Sequence, residues 1–334
     1  MSVPLLEVSG LKTYYVSARG ARVTRAVDGV SFTVKERETL GIVGESGSGK
    51  TTLALSILRL LPPAARIVEG EIRFEGEDLL AKSAGEMRRI RGKRIAMILQ
   101  DPMASLNPLF TIGDQVGEPV RIHDRVRRGA AGARVQTLLK SVKIPAPEQR
   151  AREYPHQMSG GMRQRIVGAI AISCEPRLLV ADEPTTSLDL TIQAQYLNLL
   201  RDLQRQHGLA MIFITHNLGI VAKMCDRVAV MYAGRLVEAG PVRRIFSAPA
   251  HPYTKALLES IPRLSTIGDH DPPSRRGRRL TAIEGQPPDP ARLPAGCAFH
   301  PRCPKVEERC RDLPPPEFPV LNEHATRCWL WAPE

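Results

Sequence analysis

Residues 44–51 read Gly44-Glu45-Ser46-Gly47-Ser48-Gly49-Lys50-Thr51, and they stand between two apolar runs. Upstream, Leu40-Gly41-Ile42-Val43 has the character of a buried strand. Downstream, Thr52-Leu53-Ala54-Leu55-Ser56-Ile57-Leu58 reads as the start of a buried helix. A strand, a glycine-rich loop and a helix in that order form a cradle for phosphate groups. Glycines let successive backbone N–H groups turn inward with no Cβ in the way, and the helix adds the positive end of its dipole. Lys50 is placed to reach β- and γ-phosphates, and the Thr51 hydroxyl to ligate Mg²⁺. A plain glycine-rich turn is the competing reading, and the flanking strand and helix argue against it.

The chain has 334 residues, enough for two domains or for one large domain with a small one, and its net charge is +12. That balance fits nucleic acid, an anionic membrane surface or a polyanionic ligand, and equally a solvated basic surface. No apolar run reaches the roughly 18 residues that a membrane span needs. The first residues, Met1-Ser2-Val3-Pro4-Leu5-Leu6-Glu7, lack the basic and apolar regions of a signal peptide. A cytoplasmic chain is therefore expected, with its six cysteines reduced or metal-bound.

Residues 5–40 alternate apolar and polar positions and predict antiparallel strands, with turns at Ser17–Gly20 and Glu36–Glu38. Tyr14 and Tyr15 lie in this region, where an aromatic ring can stack on a purine or pack in a sheet. Residues 70–80 predict a further strand and turn, and Ile95–Leu99 a buried strand ending at Gln100. Residues 111–175 read as mainly helical, with arginines at 121, 125, 127, 128 and 134 best taken as a solvated face. Ser159-Gly160-Gly161 opens another helix, because Ser is a good N-cap and free N–H groups there attract an anion. Arg177–Pro184 is a buried strand that ends in two acids, Asp182 and Glu183. At the end of such a strand, Asp182 can hold Mg²⁺ and Glu183 can take a proton from attacking water. Ser187-Leu188-Asp189 starts a helix, Ala210–Thr215 is a buried strand ending at His216, and residues 227–235 close with a hairpin-like turn.

The ordered set of phosphate loop, Gln100, Ser159-Gly160-Gly161, Asp182-Glu183, Ser187-Leu188-Asp189 and His216 resembles the ATP-binding cassette (ABC) ATPases over residues 5 to about 260. More narrowly, the chain is similar to the ATPase subunits of bacterial dipeptide, oligopeptide and nickel importers. Gln100-Asp101-Pro102-Met103-Ala104-Ser105-Leu106-Asn107-Pro108, Tyr154-Pro155-His156-Gln157, Ala181–Asp189 and His251-Pro252-Tyr253-Thr254-Lys255-Ala256-Leu257-Leu258 carry that likeness. The resemblance implies an α/β fold: a RecA-like P-loop core with an antiparallel β subdomain and a helical subdomain, plus a small Cys-rich C-terminal extension. It implies a nucleotide-binding domain at 1–262, with its helical part at about 101–175, and a Pro-rich linker and Cys-rich region at 263–334.

By the same resemblance, Tyr15 stacks on adenine, with Tyr14 the alternative. Gly44, Ser46, Gly47, Ser48, Gly49, Lys50, Thr51 and Thr52 hold the phosphates. Thr51, Gln100 and Asp182 serve Mg²⁺, and Gln100 also relays the γ-phosphate to membrane subunits. Glu183 is the general base, and His216 contacts the γ-phosphate. Ser159, Gly160, Gly161 and Asp189 close on ATP held by a second cassette. Three positions depart from the family pattern: Met158 stands for Leu, Met162 for Gln and Asn217 for Asp.

After about residue 262 the composition changes, with Asp271–Arg279 and Pro287-Pro288-Asp289-Pro290 reading as a linker. Cys297, Cys303, Cys310 and Cys328 follow, spaced C-x5-C-x6-C-x17-C. Four thiolates in a segment too short for its own core predict a metal staple. Cys₄ suits [4Fe–4S] or Zn²⁺, and no C-x2-C pair supports a zinc ribbon. The resemblance implies the iron–sulfur cluster, ahead of Zn²⁺ and of four free thiols. His300 and His324, and likewise Cys174 and Cys225, read as structural.

The expected protein is thus an ATP-hydrolysing importer subunit. It would sit peripherally on the cytoplasmic face of the inner membrane, with two permease subunits, a second ATPase chain in a heterodimer and, indirectly, an extracytoplasmic binding protein. Nucleic acid is not among the expected partners. The rival is a nucleic-acid-directed ABC ATPase of repair or translation. The positive charge favours it, while the single cassette and the lack of a long coiled-coil insertion oppose it.

Overall fold

The computed structural model describes residues 3–17, 22–186, 188–261 and 283–333. Its strands are β1 (Leu6–Val16), β2 (Val23–Val34), β3 (Thr39–Val43), β4 (Ala65–Phe74), β5 (Glu77–Asp78), β6 (Ile95–Ile98), β7 (Leu178–Asp182), β8 (Ala210–Ile214), β9 (Arg227–Tyr232), β10 (Arg235–Pro241), β11 (Phe318–Leu321) and β12 (His324–Thr326). The helices are α1 (Lys50–Ile57), α2 (Ala84–Ile90), α3 (Pro102–Ser105), α4 (Ile112–Asp124), α5 (Arg128–Ser141), α6 (Pro147–Arg150), α7 (Gly160–Ile172), α8 (Leu190–His207), α9 (Leu218–Met224), α10 (Val242–Ser247), α11 (Pro252–Glu259) and α12 (Arg309–Asp312). The predicted turn at Ser17–Gly20, the linker at Asp271–Arg279 and Ser187 lie wholly or partly outside the described residues.

Two sheets organise the chain. One is antiparallel, in the order β2-β1-β4-β5; the other has the order β11-β12-β10-β9-β3-β8-β7-β6. Within the second sheet β9, β3, β8, β7 and β6 run parallel, whereas β10, β12 and β11 pair antiparallel. The strands β3, β7 and β8, apolar but for Thr39 and Asp182, are buried along their whole length, as strands covered on both faces must be. The alternating strand β1 is buried on one side only. One apolar core joins the antiparallel sheet, α1 and one face of the larger sheet, through residues such as Val30, Leu53, Ile57, Phe74 and Ile212. A second core joins the other face to α4, α5, α7 and α8. A third packs α9, α10 and α11 with Phe299 against β9 and β10.

Helix starts follow the caps written in the sequence. Ser83 and Glu86 form a capping box on α2, and Thr111, Ser159, Asp189 and Asn217 each accept N–H groups at the starts of α4, α7, α8 and α9. Asn217 caps α9 through Gly219 and Ile220, so an amide does there what an Asp carboxylate does elsewhere. Beyond the expected elements, the structure adds α2, α9, α10, α12 and the two short strands of the C-terminal segment. β12 pairs with β10, so the end of the chain extends the sheet that carries the phosphate loop. Among the described residues no helix is long and apolar enough to cross a membrane.

Candidate nucleotide site

Parallel pairing puts the C-terminal ends of β3, β6, β7 and β8 at one edge of the sheet. These ends deliver Gly44–Lys50, Gln100, Asp182-Glu183 and His216. They border a cleft of about 670 Å³ lined by Tyr15, Thr24, Ala26, Ser46, Gly47, Gly49, Lys50, Thr51, Thr52, Gln100, Glu183, Thr186, His216 and Pro290. Gly49 has φ +102°, and a Cβ there would stand 2.0 Å from the Ala26 carbonyl oxygen. A Cβ on Gly44 would stand 2.1 Å from the Met231 carbonyl oxygen. The loop conformation therefore excludes side chains at both positions.

Lys50 is buried, and its Nζ donates to the carbonyl oxygens of Gly44 and Glu45, both at 2.9 Å. Burial lowers its pKa, opposed by the charges of Glu183, Asp182 and Glu45. Asp182 lies behind the loop at 1% exposure, and its Oδ1 has no hydrogen-bond partner. Burial raises its pKa, and neighbouring Glu183 adds to the rise, while the Thr51 hydroxyl and Lys50 oppose it. A buried carboxylate oxygen left unpaired beside a threonine hydroxyl suits a hard divalent cation. The donor set thus fits Mg²⁺.

Glu183 has φ +46°, outside the regions where non-glycine residues rest easily, and its N–H donates to the Ile214 carbonyl oxygen at 2.9 Å. That backbone turn aims the carboxylate into the cleft. There Oε1 meets His216 Nδ1 at 3.2 Å, and Oε2 accepts from Thr186 Oγ1 at 2.9 Å and from Gln100 Nε2 at 3.4 Å. Glu183, His216 and Gln100, widely separated in sequence, are thus one cluster. Thr186 belongs to it as well and escaped the sequence reading, although it stands only three residues after Glu183.

Tyr15 lines the cleft and its hydroxyl lies 3.3 Å from Thr52 Oγ1. Tyr14 points elsewhere: its hydroxyl donates to Asp28 Oδ1 at 2.7 Å, and burial, helped by that bond, pushes its pKa up to about 12. Gly44 and Ser48 belong to the loop without lining the cleft, and Ser159, Gly160, Gly161 and Asp189 do not line it either. Those last four sit at the starts of α7 and α8, where Ser159 Oγ accepts from Met162 N and Asp189 Oδ1 from Thr191 and Ile192.

The sequence of residues 27–186 matches the family model for the ABC transporter. An ATP-binding protein of Brucella ovis is 49% identical over 98% of this chain and 97% of its own length. The chain belongs to the ABC transporter ATP-binding proteins. It is an ABC-family ATPase, and ATP is its nucleotide. Residues 237–310 match the model for the oligopeptide/dipeptide transporter C-terminal region. The dipeptide transport ATP-binding protein DppD of Bacillus subtilis is 47% identical over 98% of this chain and 94% of its own length. A solved dimeric ATP-binding cassette, MJ0796, in a post-hydrolysis state with ADP and Pi, has a TM-score of 0.64 and 26% identity over 71% of this chain and 99% of that one. None of these matches supports the nucleic-acid-directed alternative.

The four C-terminal cysteines are brought together. Cys297, Cys303, Cys310 and Cys328 line one small cavity with His251, Phe299, His300 and Trp329. Burial raises the pKa of Cys297 and Cys303 and pushes Cys328 up to about 11, with neighbouring thiols adding to each rise. His251 is fully buried; its Nδ1 accepts from Tyr253 N at 3.0 Å, and its Nε2 is without a partner. All four remain free thiols, and among the described residues no group of three or more His, Cys, Asp or Glu is arranged to hold a metal ion. The expectation of a metal-loaded Cys₄ centre therefore finds no support in the arrangement of the described residues, although the four thiols share one cavity. His324 is structural, as expected: its Nε2 lies 2.8 Å from Oε1 of the buried Glu238. His300 Nδ1 lies 3.0 Å from the Cys297 carbonyl oxygen. Cys174 is buried and Cys225 packs between two apolar clusters.

Proposed function

We propose that this chain is the ATP-hydrolysing subunit of an importer for di- and oligopeptides. The observation that carries the reading is the pairing of a complete nucleotide cleft with a C-terminal region of the oligopeptide/dipeptide transporter type in one chain. Relatives of similar length bear dipeptide and oligopeptide transport names. Residues 1–262 act as the nucleotide-binding domain, with about 101–175 as its helical part, and 263–334 as the C-terminal region.

In this reading Tyr15 stacks on adenine, and the loop N–H groups with Lys50 take the phosphates. Thr51, Asp182 and Gln100 would hold Mg²⁺, which supplies charge neutralisation at the phosphates. Glu183, fixed by Thr186, Gln100 and His216, orients the attacking water and takes its proton. Phosphoryl transfer needs positioning and charge stabilisation more than covalent help, and this cluster provides both. The Ser159–Gly161 helix start and Asp189, which do not line the chain's own cleft, close on the nucleotide of a second ATPase subunit. Leu109 and Phe110, at 81% and 54% exposure beyond the Gln100 loop, offer the permease subunits an apolar contact. The working place is then the cytoplasmic face of the membrane. We also infer that Cys297, Cys303, Cys310 and Cys328 take up a [4Fe–4S] cluster, or Zn²⁺ in its place. The cavity that the four cysteines share supports that reading.

Glu183→Gln in the purified transporter tests the catalytic assignment. ATP binding should persist while turnover falls at least about a hundredfold, the usual scale of general-base catalysis. Turnover near the wild-type rate would remove Glu183 from the mechanism. Iron and acid-labile sulfide near stoichiometry after anaerobic purification are expected, and a colourless protein with neither would exclude the cluster.

A further inference from the structure

Arg302 lies in the short 3₁₀ turn His300–Arg302, just before Cys303, and its side chain is only 4% exposed. A guanidinium has five N–H donors, and all five directions are used. Nε donates to the Glu284 carbonyl oxygen at 2.9 Å. Nη1 donates to Glu45 Oε2 at 2.7 Å and to Tyr232 Oη at 3.3 Å. Nη2 donates to Glu45 Oε1 at 3.1 Å and to the Ile283 carbonyl oxygen at 3.3 Å. The pair with Glu45 is a bidentate fork, the geometry that makes Arg–carboxylate pairs stiff as well as strong.

Glu45 is no ordinary partner. It belongs to the phosphate loop, and its carbonyl oxygen holds Lys50 Nζ. Its N–H donates to Tyr253 Oη at 2.9 Å, and Tyr253 packs on Tyr232 and Phe299, with ring centroids 4.5 and 5.3 Å away. Backbone and side chain of this loop residue are thus both fixed by the C-terminal third of the chain. A second contact stands apart from the first. Arg22 pairs with Asp289, Arg25 N donates to the Pro290 carbonyl oxygen at 3.0 Å, and Pro290 lines the nucleotide cleft with Tyr15 and Thr24.

We propose that the C-terminal segment is a working part of the nucleotide site, in which Arg302 is a positioning residue that fixes the phosphate loop through Glu45. The inference rests on reading this cleft as the ATP site. A loop held in advance spends less of ATP's binding free energy on its own ordering. Glu183, Gln100 and His216 stand on other strand ends, so the fork governs how tightly ATP is held rather than how fast it is cleaved. Coupling of this kind is reciprocal, so ATP in the cleft must in turn steady the segment around Arg302.

The test uses the full-length chain in its assembled transporter, with Arg302→Gln, Arg302→Lys, Glu45→Gln and the double variant Arg302→Gln/Glu45→Gln. KM for ATP and kcat are measured, together with amide hydrogen exchange at residues 297–303 with and without MgATP. Arg302→Gln and Glu45→Gln should each raise KM about tenfold, within the usual range for coupled sites, with kcat within about twofold. The double variant should be no worse than the poorer single, and Arg302→Lys, which keeps the charge but not the fork, should fall between. MgATP should slow exchange at 297–303 in the wild type and not in Glu45→Gln. An unchanged KM in either Gln variant, or exchange at 297–303 that ignores MgATP in the wild type, would overturn the proposal. If Arg302→Gln does not fold, Glu45→Gln decides alone, since it leaves the buried turn's own sequence intact. A wild-type chain that neither binds nor hydrolyses ATP would instead overturn the reading of the cleft, a result separable from any variant.

Discussion

Glu238→Gln exchanges a single atom at a buried junction, and the structure says what that exchange costs. Glu238 is 2% exposed on β10. Its Oε1 accepts from Ala250 N at 2.7 Å and from His324 Nε2 at 2.8 Å, and its Oε2 accepts from His251 N at 2.9 Å. A carboxylate accepts at both ends, whereas an amide accepts at one. The better orientation of Gln keeps its oxygen on Ala250 and His324 and turns NH₂ toward the His251 N–H. One buried donor is then orphaned, at about 1–3 kcal/mol. Two charge-assisted bonds become neutral ones, at about 0.5–1 kcal/mol each. The sum is a loss of about 2–5 kcal/mol, reduced somewhat because an amide is easier to bury than a carboxylate. Urea unfolding of the full chain measures it as a lower midpoint at unchanged slope. Hydrogen exchange should accelerate first at the start of α11 and in β12, which this carboxylate ties to β10. A loss below about 0.5 kcal/mol, or faster exchange confined to other elements, would refute the reasoning.

Other expectations follow from the same kind of accounting. Burial alone would raise the pKa of Asp28, but hydrogen bonds from Tyr14 and Arg235 outweigh it and hold the carboxyl below 3.8. The stabilisation is therefore complete above that value and is lost as pH falls through the lower folded pKa, so Asp28→Asn should cost about 2 kcal/mol near neutrality and progressively less in acid. Equal costs at both ends of that pH range would contradict it. Gly49→Ala should abolish nucleotide binding, because a Cβ 2.0 Å from the Ala26 carbonyl oxygen displaces either the loop or β2. Calorimetry with MgATP reads this directly, and wild-type affinity in that variant would contradict it.

Local rules made much of the molecule legible. Glycines fixed the phosphate loop, caps marked the starts of α7 and α8, and apolar runs marked the buried strands. Parallel pairing then follows from helices lying between the strands, and it gathers Lys50, Gln100, Glu183 and His216 without further information. Strand alternation also separates Tyr15, on the cleft side, from Tyr14, bonded to Asp28. What stayed hidden depends on contacts between residues far apart in sequence. Arg302 meets Glu45 across 257 positions, and Glu238 meets His324 across 86. No periodicity or spacing announces such pairs. Thr186 was hidden for a different reason: only the left-handed turn at Glu183 brings that carboxylate back onto its hydroxyl. The four cysteines line one cavity, but their spacing does not fix the sulfur positions.

The edge of the larger sheet sets a limit on how such chains can be recombined. β12 covers the outer side of β10, and Phe299 packs against both Tyr232 and Tyr253. A cassette cut near residue 262 would leave β10, still paired with β9, as a bare sheet edge and would expose aromatic rings next to the phosphate loop. The cassette and its C-terminal segment are in this sense one unit of inheritance. A hybrid that joins the cassette of one importer to the tail of another must carry matched partners for Glu45, Glu238 and Tyr253, or it will aggregate before it can be asked which cargo it drives.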